Sequence, residues 1–303
     1  MNKKKILKLA IILVILLIIF GFFINNREKD PYEFKGNTLY YSQYRETPDY
    51  NIEFIGLNNT IEIYKINFES KNFLEYPTSI YGLLFIPKGK EKVPGIVLLP
   101  GGGGTKEGEA KLALKLANLG YGVLTIDQRG IGETGGYYLN PERDYQIFLQ
   151  GKEPIQHLSV YDILRTYDVL KQIEKIDKDN IGLVGESMGA RYAIIAAAID
   201  KNLKGVIAIS TSGFHISPNP LNPYNDYLVS IDPDHYISKI SPNFVMMLHG
   251  TNDSVVRLED AQITFDKAKE PKRFFIAEGC KHGYCEKMDE GIKKGLEIMF
   301  KNT

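Results

Sequence analysis

Six short, largely apolar runs punctuate the C-terminal four-fifths of the chain: GIVLLP (95–100), YGVLTID (121–127), IGLVGE (181–186), GVIAIS (205–210), FVMMLHG (244–250) and RFFIAEG (273–279). Between and after them lie stretches with apolar residues at three- and four-residue spacing, at about 107–119, 157–175, 188–200, 256–269 and 286–300, the signature of amphipathic helices. Strands apolar on both faces and alternating with helices imply a doubly wound, mostly parallel α/β sheet. Ahead of them, IEIYKINF (61–68) and TSIYGLLFIP (78–87) alternate apolar and polar residues, as an antiparallel pair opening the sheet would. Segments 134–156 and 211–242, rich in Tyr, Pro, Asn and Gly, break the alternation and are expected to be loops over the strand ends, where such sheets bind ligands.

The chain has 303 residues, enough for one large α/β domain and an appendage. Its 37 basic and 37 acidic residues cancel, so no net field favours a nucleic acid partner. At the N-terminus, Lys3, Lys4, Lys5 and Lys8 precede an apolar run from Leu9 to Ile24. That run covers roughly 24 Å, and extended back to Ile6 with Lys8 snorkelling it can span a bilayer core. The exit sequence Gly21–Asn26 lacks an A-x-A-like cleavage site, which favours a retained single-pass anchor. The lysines before the run outweigh Arg27 and Lys29 after it, placing the rest of the chain on the extracytoplasmic face of the cell membrane. The expected organisation is a basic tip and transmembrane anchor (1–26), an irregular polar stalk (27–54) and a folded domain (55–303).

The run IGLVGE leads straight into Ser187, Met188 and Gly189 and then the small apolar helix ARYAIIAAAI. GESMG at a strand-to-helix turn is a nucleophile elbow, whose sharp turn leaves room only for small residues at Gly185 and Gly189. A serine hydroxyl needs a base, and the base needs a group that fixes its tautomer. Of five histidines, His282 stands in the turn GCKHGY between the last strand and the last helix. His249 ends a strand and reads as structural, and His157, His215 and His235 lie in connections, with His215 also a candidate for substrate contact. Asp253, in HGTNDSVV, follows a strand at the same end, with Asp232 and Asp234 as fallback acids. The order Ser187, Asp253, His282 is that expected of this arrangement. Oxyanion donors are expected from the backbone of Gly102, with Gly103 as second choice, and of Met188.

With LLPGGGG, DQRGIGET, GESMG, HGTNDSVV and the His282 turn in this order, the chain resembles the α/β-hydrolase superfamily over roughly residues 55–303. More narrowly it is similar to the branch of dienelactone-hydrolase-like, acetyl-esterase-like and prolyl-oligopeptidase-like enzymes. The resemblance implies hydrolysis of esters, or related acyl bonds, of small or medium acyl substrates through an acyl-enzyme, with no metal or organic cofactor. It departs at Pro100, where many relatives carry histidine, and at Arg191, where small residues are usual. Asp127 and Arg129 are expected to pair and brace their loop. Cys280 and Cys285 bracket His282 either as a disulfide or as two thiols. A serine peptidase is the nearest alternative function, disfavoured by the lack of room for a large peptide-selecting domain, and a non-catalytic binding module is the alternative of a different class.

Overall fold

Six largely apolar runs form the parallel half of the sheet, and the inner ones, with no polar face, are stable only because helices cover both sides. In the computed structural model, which describes residues 12–13, 32–138, 140–219 and 221–301, these strands are β6 (Val93–Leu99), β7 (Gly122–Ile126), β8 (Ile176–Glu186), β9 (Gly205–Ile209), β10 (Phe244–Gly250) and β11 (Lys272–Ala277). Three antiparallel strands precede them in sequence: β3 (Tyr50–Asn58), β4 (Ile61–Phe73) and β5 (Tyr76–Pro87). The nine strands run β11-β10-β9-β8-β6-β7-β5-β4-β3 across one sheet.

Helices pack on both faces. On one, α3 (Ile155–Leu170) and α4 (Ser187–Ile199) bury Ile163, Leu164, Ala193 and Ile194 against Val97, Leu183 and Val206. On the other, α1 (Ala110–Asn118) and α8 (Asp289–Phe300) bury Leu112, Leu116, Ile292 and Leu296 against Ile96, Val123, Ile207 and Leu248. The short helix α7 (Leu258–Asp266) follows β10. The C-terminal ends of β8, β10 and β11 therefore meet at one edge of the layer, with the elbow, the Asp253 turn and the His282 turn above them.

Three expectations are corrected. The segment read as an irregular stalk carries a hairpin, β1 (Tyr32–Lys35) with β2 (Thr38–Tyr41), and then β3. Leu39 and Tyr41 join the core, and Arg45 is clamped between Asp168 and Asp200 at 2.6 and 2.7 Å. The alternation of Tyr50, Ile52 and Phe54 with Asn51 and Glu53 is short, and in the edge strand β3 Ile52 and Phe54 stay exposed, so the pattern does not mark a buried face. The segments 134–156 and 211–242 are not all loop: they hold α2 (Pro141–Leu149), α5 (Pro223–Ser230) and α6 (Pro233–Tyr236). Each starts at a proline after an Asn or Asp whose side chain accepts a backbone N–H, which satisfies a helix start that short polar segments otherwise leave open. The expected Asp127–Arg129 pair does not form. Asp127 instead takes Lys106 Nζ at 2.8 Å, and Arg129 forms a two-pronged pair with Asp162 on α3 at 2.6 and 2.7 Å.

Among the described residues no helix is long and apolar enough to cross a membrane. The expected anchor, apart from Ile12 and Leu13, lies outside the described residues.

The Arg129 pair is completely enclosed and also receives Ser70 of β4 and Thr78 of β5. Asp162→Ala strands a guanidinium in the interior, which costs about 3–5 kcal/mol. A lowered denaturation midpoint with unchanged slope is the expected result, and an unchanged midpoint would contradict it.

Candidate active site

Strand β8 ends at Glu186, and Ser187 turns the chain with φ +49, a left-handed conformation that L residues avoid. The turn survives because the residues two before and two after it, Gly185 and Gly189, have no side chains. A Cβ on Gly189 would lie 2.3 Å from the Pro100 carbonyl oxygen, and one on Gly185 2.8 Å from the Ala190 nitrogen. The hydroxyl is thereby held above the sheet at the first turn of α4.

Ser187, His282 and Asp253 come together as the sequence leads one to expect. His282 Nε2 lies 2.9 Å from Ser187 Oγ, and Nδ1 lies 2.8 Å from Asp253 Oδ2 and 3.0 Å from Oδ1. Asp253 is sealed from solvent, whereas a quarter of the His282 side chain remains exposed, so the outer face of the imidazole is open to an incoming molecule. Burial works to raise the Asp253 pKa, but the backbone N–H groups of Val256 and Val255 (2.9 Å each) and His282 outweigh it, and the net shift is downward. The acid therefore stays ionised. Two ties fix the loops that carry it: Asn252 N–H donates to Cys280 O at 2.9 Å, and Gly283 N–H to Ser210 Oγ at 3.0 Å. Cys280 and Cys285 are joined as a disulfide that closes the His282 turn.

Of the expected oxyanion donors, Gly103 N–H is occupied by Gln128 Oε1 at 3.3 Å, while Gln128 Nε2 holds the Pro100 carbonyl at 2.8 Å. The N–H groups of Gly102 and Met188 donate no hydrogen bond among the described residues. A Cβ on Gly102 would touch the Met188 side chain at 3.7 Å. Gly102 and Met188 are thus the available pair.

The remaining histidines and acids sort by their partners. His157 is enclosed between Tyr32 Oη (2.9 Å) and Ser230 Oγ (2.6 Å), and burial pushes it down to about 3. His215 pairs with Asp234 at 2.7 Å, and His235 lies against Thr38 at 2.7 Å. Asp232 holds the backbone of Phe214 and Asp234, so neither fallback acid serves His282. Arg191, half-buried, is accommodated without a small residue: it bonds Gln156 at 3.1 Å and stacks on Tyr192 and Phe214. His249 has a part the sequence did not disclose. Its Nε2 donates to Val256 O at 2.9 Å and stands 3.3 Å from Asp253 Oδ2. Only its position four residues before Asp253 could have signalled this.

This sheet, elbow and residue order define the α/β-hydrolase class. A family model described as acetyl xylan esterase (AXE1) matches residues 24–212, and the chain belongs to that family. It is similar to the uncharacterized protein YfhR of Escherichia coli O157:H7, 26% identical over 155 residues, which are 47% of this chain and 55% of that protein. A match to the putative hydrolase YtaP of Bacillus subtilis (strain 168) is 33% identical over 101 residues, a third of each chain. The alignments thus span only about a third to a half of these two relatives. Among solved structures, acetyl xylan esterase 1 from Thermoanaerobacterium sp. JW/SL YS485 superposes with a TM-score of 0.69 at 16% identity, covering 84% of this chain and 88% of that one. Acetyl xylan esterase from Paenibacillus sp. R4 gives 0.67 at 18% identity, covering 84% and 89%. At such identities the superpositions speak for the fold.

Proposed function

We propose that this protein hydrolyses carboxylic esters through an acyl-enzyme, with Ser187 as nucleophile, His282 as general base and acid, and Asp253 as the group that orients His282. The observation that carries the reading is the unbroken relay from Ser187 Oγ through both ring nitrogens of His282 to Asp253. Ser187 Oγ attacks the ester carbonyl as its proton passes to His282 Nε2, and the N–H groups of Gly102 and Met188 receive the oxyanion. Collapse expels the alcohol, which takes the proton from His282. Water then attacks the acyl-enzyme, gives its proton to His282 and releases the acid, restoring the serine. Membership of the acetyl xylan esterase family supports a short acyl group.

The same reading puts the catalytic domain outside the cell membrane. Lys3, Lys4, Lys5 and Lys8 before the apolar run support that orientation, as does a disulfide beside the catalytic turn, since such bonds persist in oxidising compartments.

Treatment with a fluorophosphonate probe is expected to modify one serine, found by peptide mapping at Ser187, and to stop turnover of p-nitrophenyl acetate. A folded protein that neither labels nor turns over the ester would sink the reading and favour a binding module on this fold.

A further inference from the structure

Two carboxyl groups meet beneath the catalytic turn without a cation between them. Glu186 immediately precedes the nucleophile, and its Oε2 accepts the backbone N–H of Tyr284 at 3.1 Å, two residues after His282. Glu109 follows the oxyanion glycines, immediately before α1; it is 8% exposed and its side chain hydrogen-bonds Glu186. Neither forms an ion pair among the described residues. A buried carboxylate and a half-buried one cannot both be charged when they hydrogen-bond each other, so the contact requires one proton between them. The pair joins all three loops on which the proposed reaction depends: the oxyanion segment, the elbow and the His282 turn. Gly283 leaves the space that lets it close, since a Cβ there would lie 3.1 Å from Glu186 Oε2.

We propose that Glu109 and Glu186 form a proton-sharing clasp that holds the His282 turn against the nucleophile elbow, so that both are positioning residues for the ester hydrolysis inferred above. Glu109 is the donor and Glu186 the acceptor that also receives Tyr284 N–H. Burial, and then the Glu186 carboxylate, push Glu109 up to about 8; burial also raises Glu186, while Tyr284 N–H, Glu109 and His282 work to lower it. Of the other charges near the turn, Lys115 and Asp289 engage the outward-facing ring of Tyr284, and Lys111 of α1 pairs with Glu286 at 3.0 Å on the exposed side. A raised carboxyl pKa in the folded state means that the clasp is complete at low pH and is lost as pH rises through the folded value. The clasp therefore loosens the His282 turn in mildly alkaline solution, where a triad histidine is already in its neutral working form.

The test rests on the esterase reading for one readout and is independent of it for the other, using the full-length chain and the variants Glu109→Gln and Glu109→Ala. Backbone hydrogen exchange of the peptide covering 280–286 at neutral pH is expected to speed up at least fivefold in Glu109→Ala and to return toward wild type in Glu109→Gln, whose amide keeps the donor. With p-nitrophenyl acetate, Glu109→Ala is expected to lose about tenfold in kcat with KM within twofold. The alkaline fall of kcat, referred to each protein's own plateau, should move up by at least one pH unit in Glu109→Gln. Unchanged exchange in a folded Glu109→Ala protein, or an alkaline limb that stays in place in Glu109→Gln, overturns the clasp. A wild type without ester turnover refutes the proposed function instead, and the exchange result still decides the clasp.

Discussion

Ser187→Ala is expected to lower kcat for ester turnover by roughly a millionfold, since the whole triad acts as one unit. His282→Ala should cost about the same, and the double variant little more than either, because each single change already removes the only route for the serine proton. The structure makes this a clean experiment. Ser187 Oγ has His282 as its side-chain partner, and the left-handed turn at Ser187 is secured by the absence of side chains at Gly185 and Gly189, so Ala leaves the elbow intact. Thermal midpoints within a degree or two of wild type are expected for Ser187→Ala, and kcat with p-nitrophenyl acetate is the measurement. Retention of even a hundredth of wild-type kcat would place the nucleophile elsewhere. A residual activity that is equal in all three variants and above background would be the part supplied by Gly102, Met188 and substrate binding alone.

Why the triad was legible and its supports were not follows from where the information lies. The elbow announces itself locally, since an apolar strand, a serine between two obligatory glycines and a small-residue helix are contiguous in sequence. Asp253 and His282 are legible because each follows a strand, and parallel strands deliver their C-terminal turns to one edge. Glu109, Glu186, Gln128 and His249 act through contacts between separate turns, and no periodicity marks them. Glu186 stands inside the GESMG motif, yet its partner lies 77 residues away across the sheet order β8-β6. The Arg129 pairing failed for the same reason. Sequence proximity suggested Asp127, but Asp127 faces the buried Lys106 while Arg129 turns toward α3. In the fold, buried parallel strands and long helices were readable from their apolar runs. The edge strand β3 and the hairpin β1–β2 were not, because their alternations are only four or five residues long and lie among polar, Tyr-rich sequence, and the apolar side chains of β3 stay exposed at the sheet edge.

Asp253→Asn is expected to lower kcat by about ten-thousandfold while changing fewer atoms than any other triad substitution; the comparable loss known for a chymotrypsin-type triad has the same cause. The geometry says which way the amide will lie. Oδ1 accepts both Val255 N–H and Val256 N–H at 2.9 Å, so the Asn oxygen must take that place and the NH2 must take the place of Oδ2. There it faces His282 Nδ1 at 2.8 Å as a donor. Nδ1 must then accept, the ring proton moves to Nε2, and Nε2 can no longer receive the serine proton. His249 Nε2–H, already donating to Val256 O, meets the same NH2 at 3.3 Å as a second donor, so the Asn cannot relieve the conflict by shifting toward it. The loss should fall on kcat with KM little changed, and should shrink at high pH where hydroxide can replace the base. Stability gives a second reading of the same carboxylate. Its folded pKa is depressed, so it stabilises the fold above its unfolded value near 4 and that contribution is lost as pH falls through the folded value. Asp253→Asn should therefore flatten the acid side of the denaturation profile as well as silence the enzyme. A variant that keeps wild-type kcat would mean that His282 is oriented by another group and that the relay at this site is coincidental.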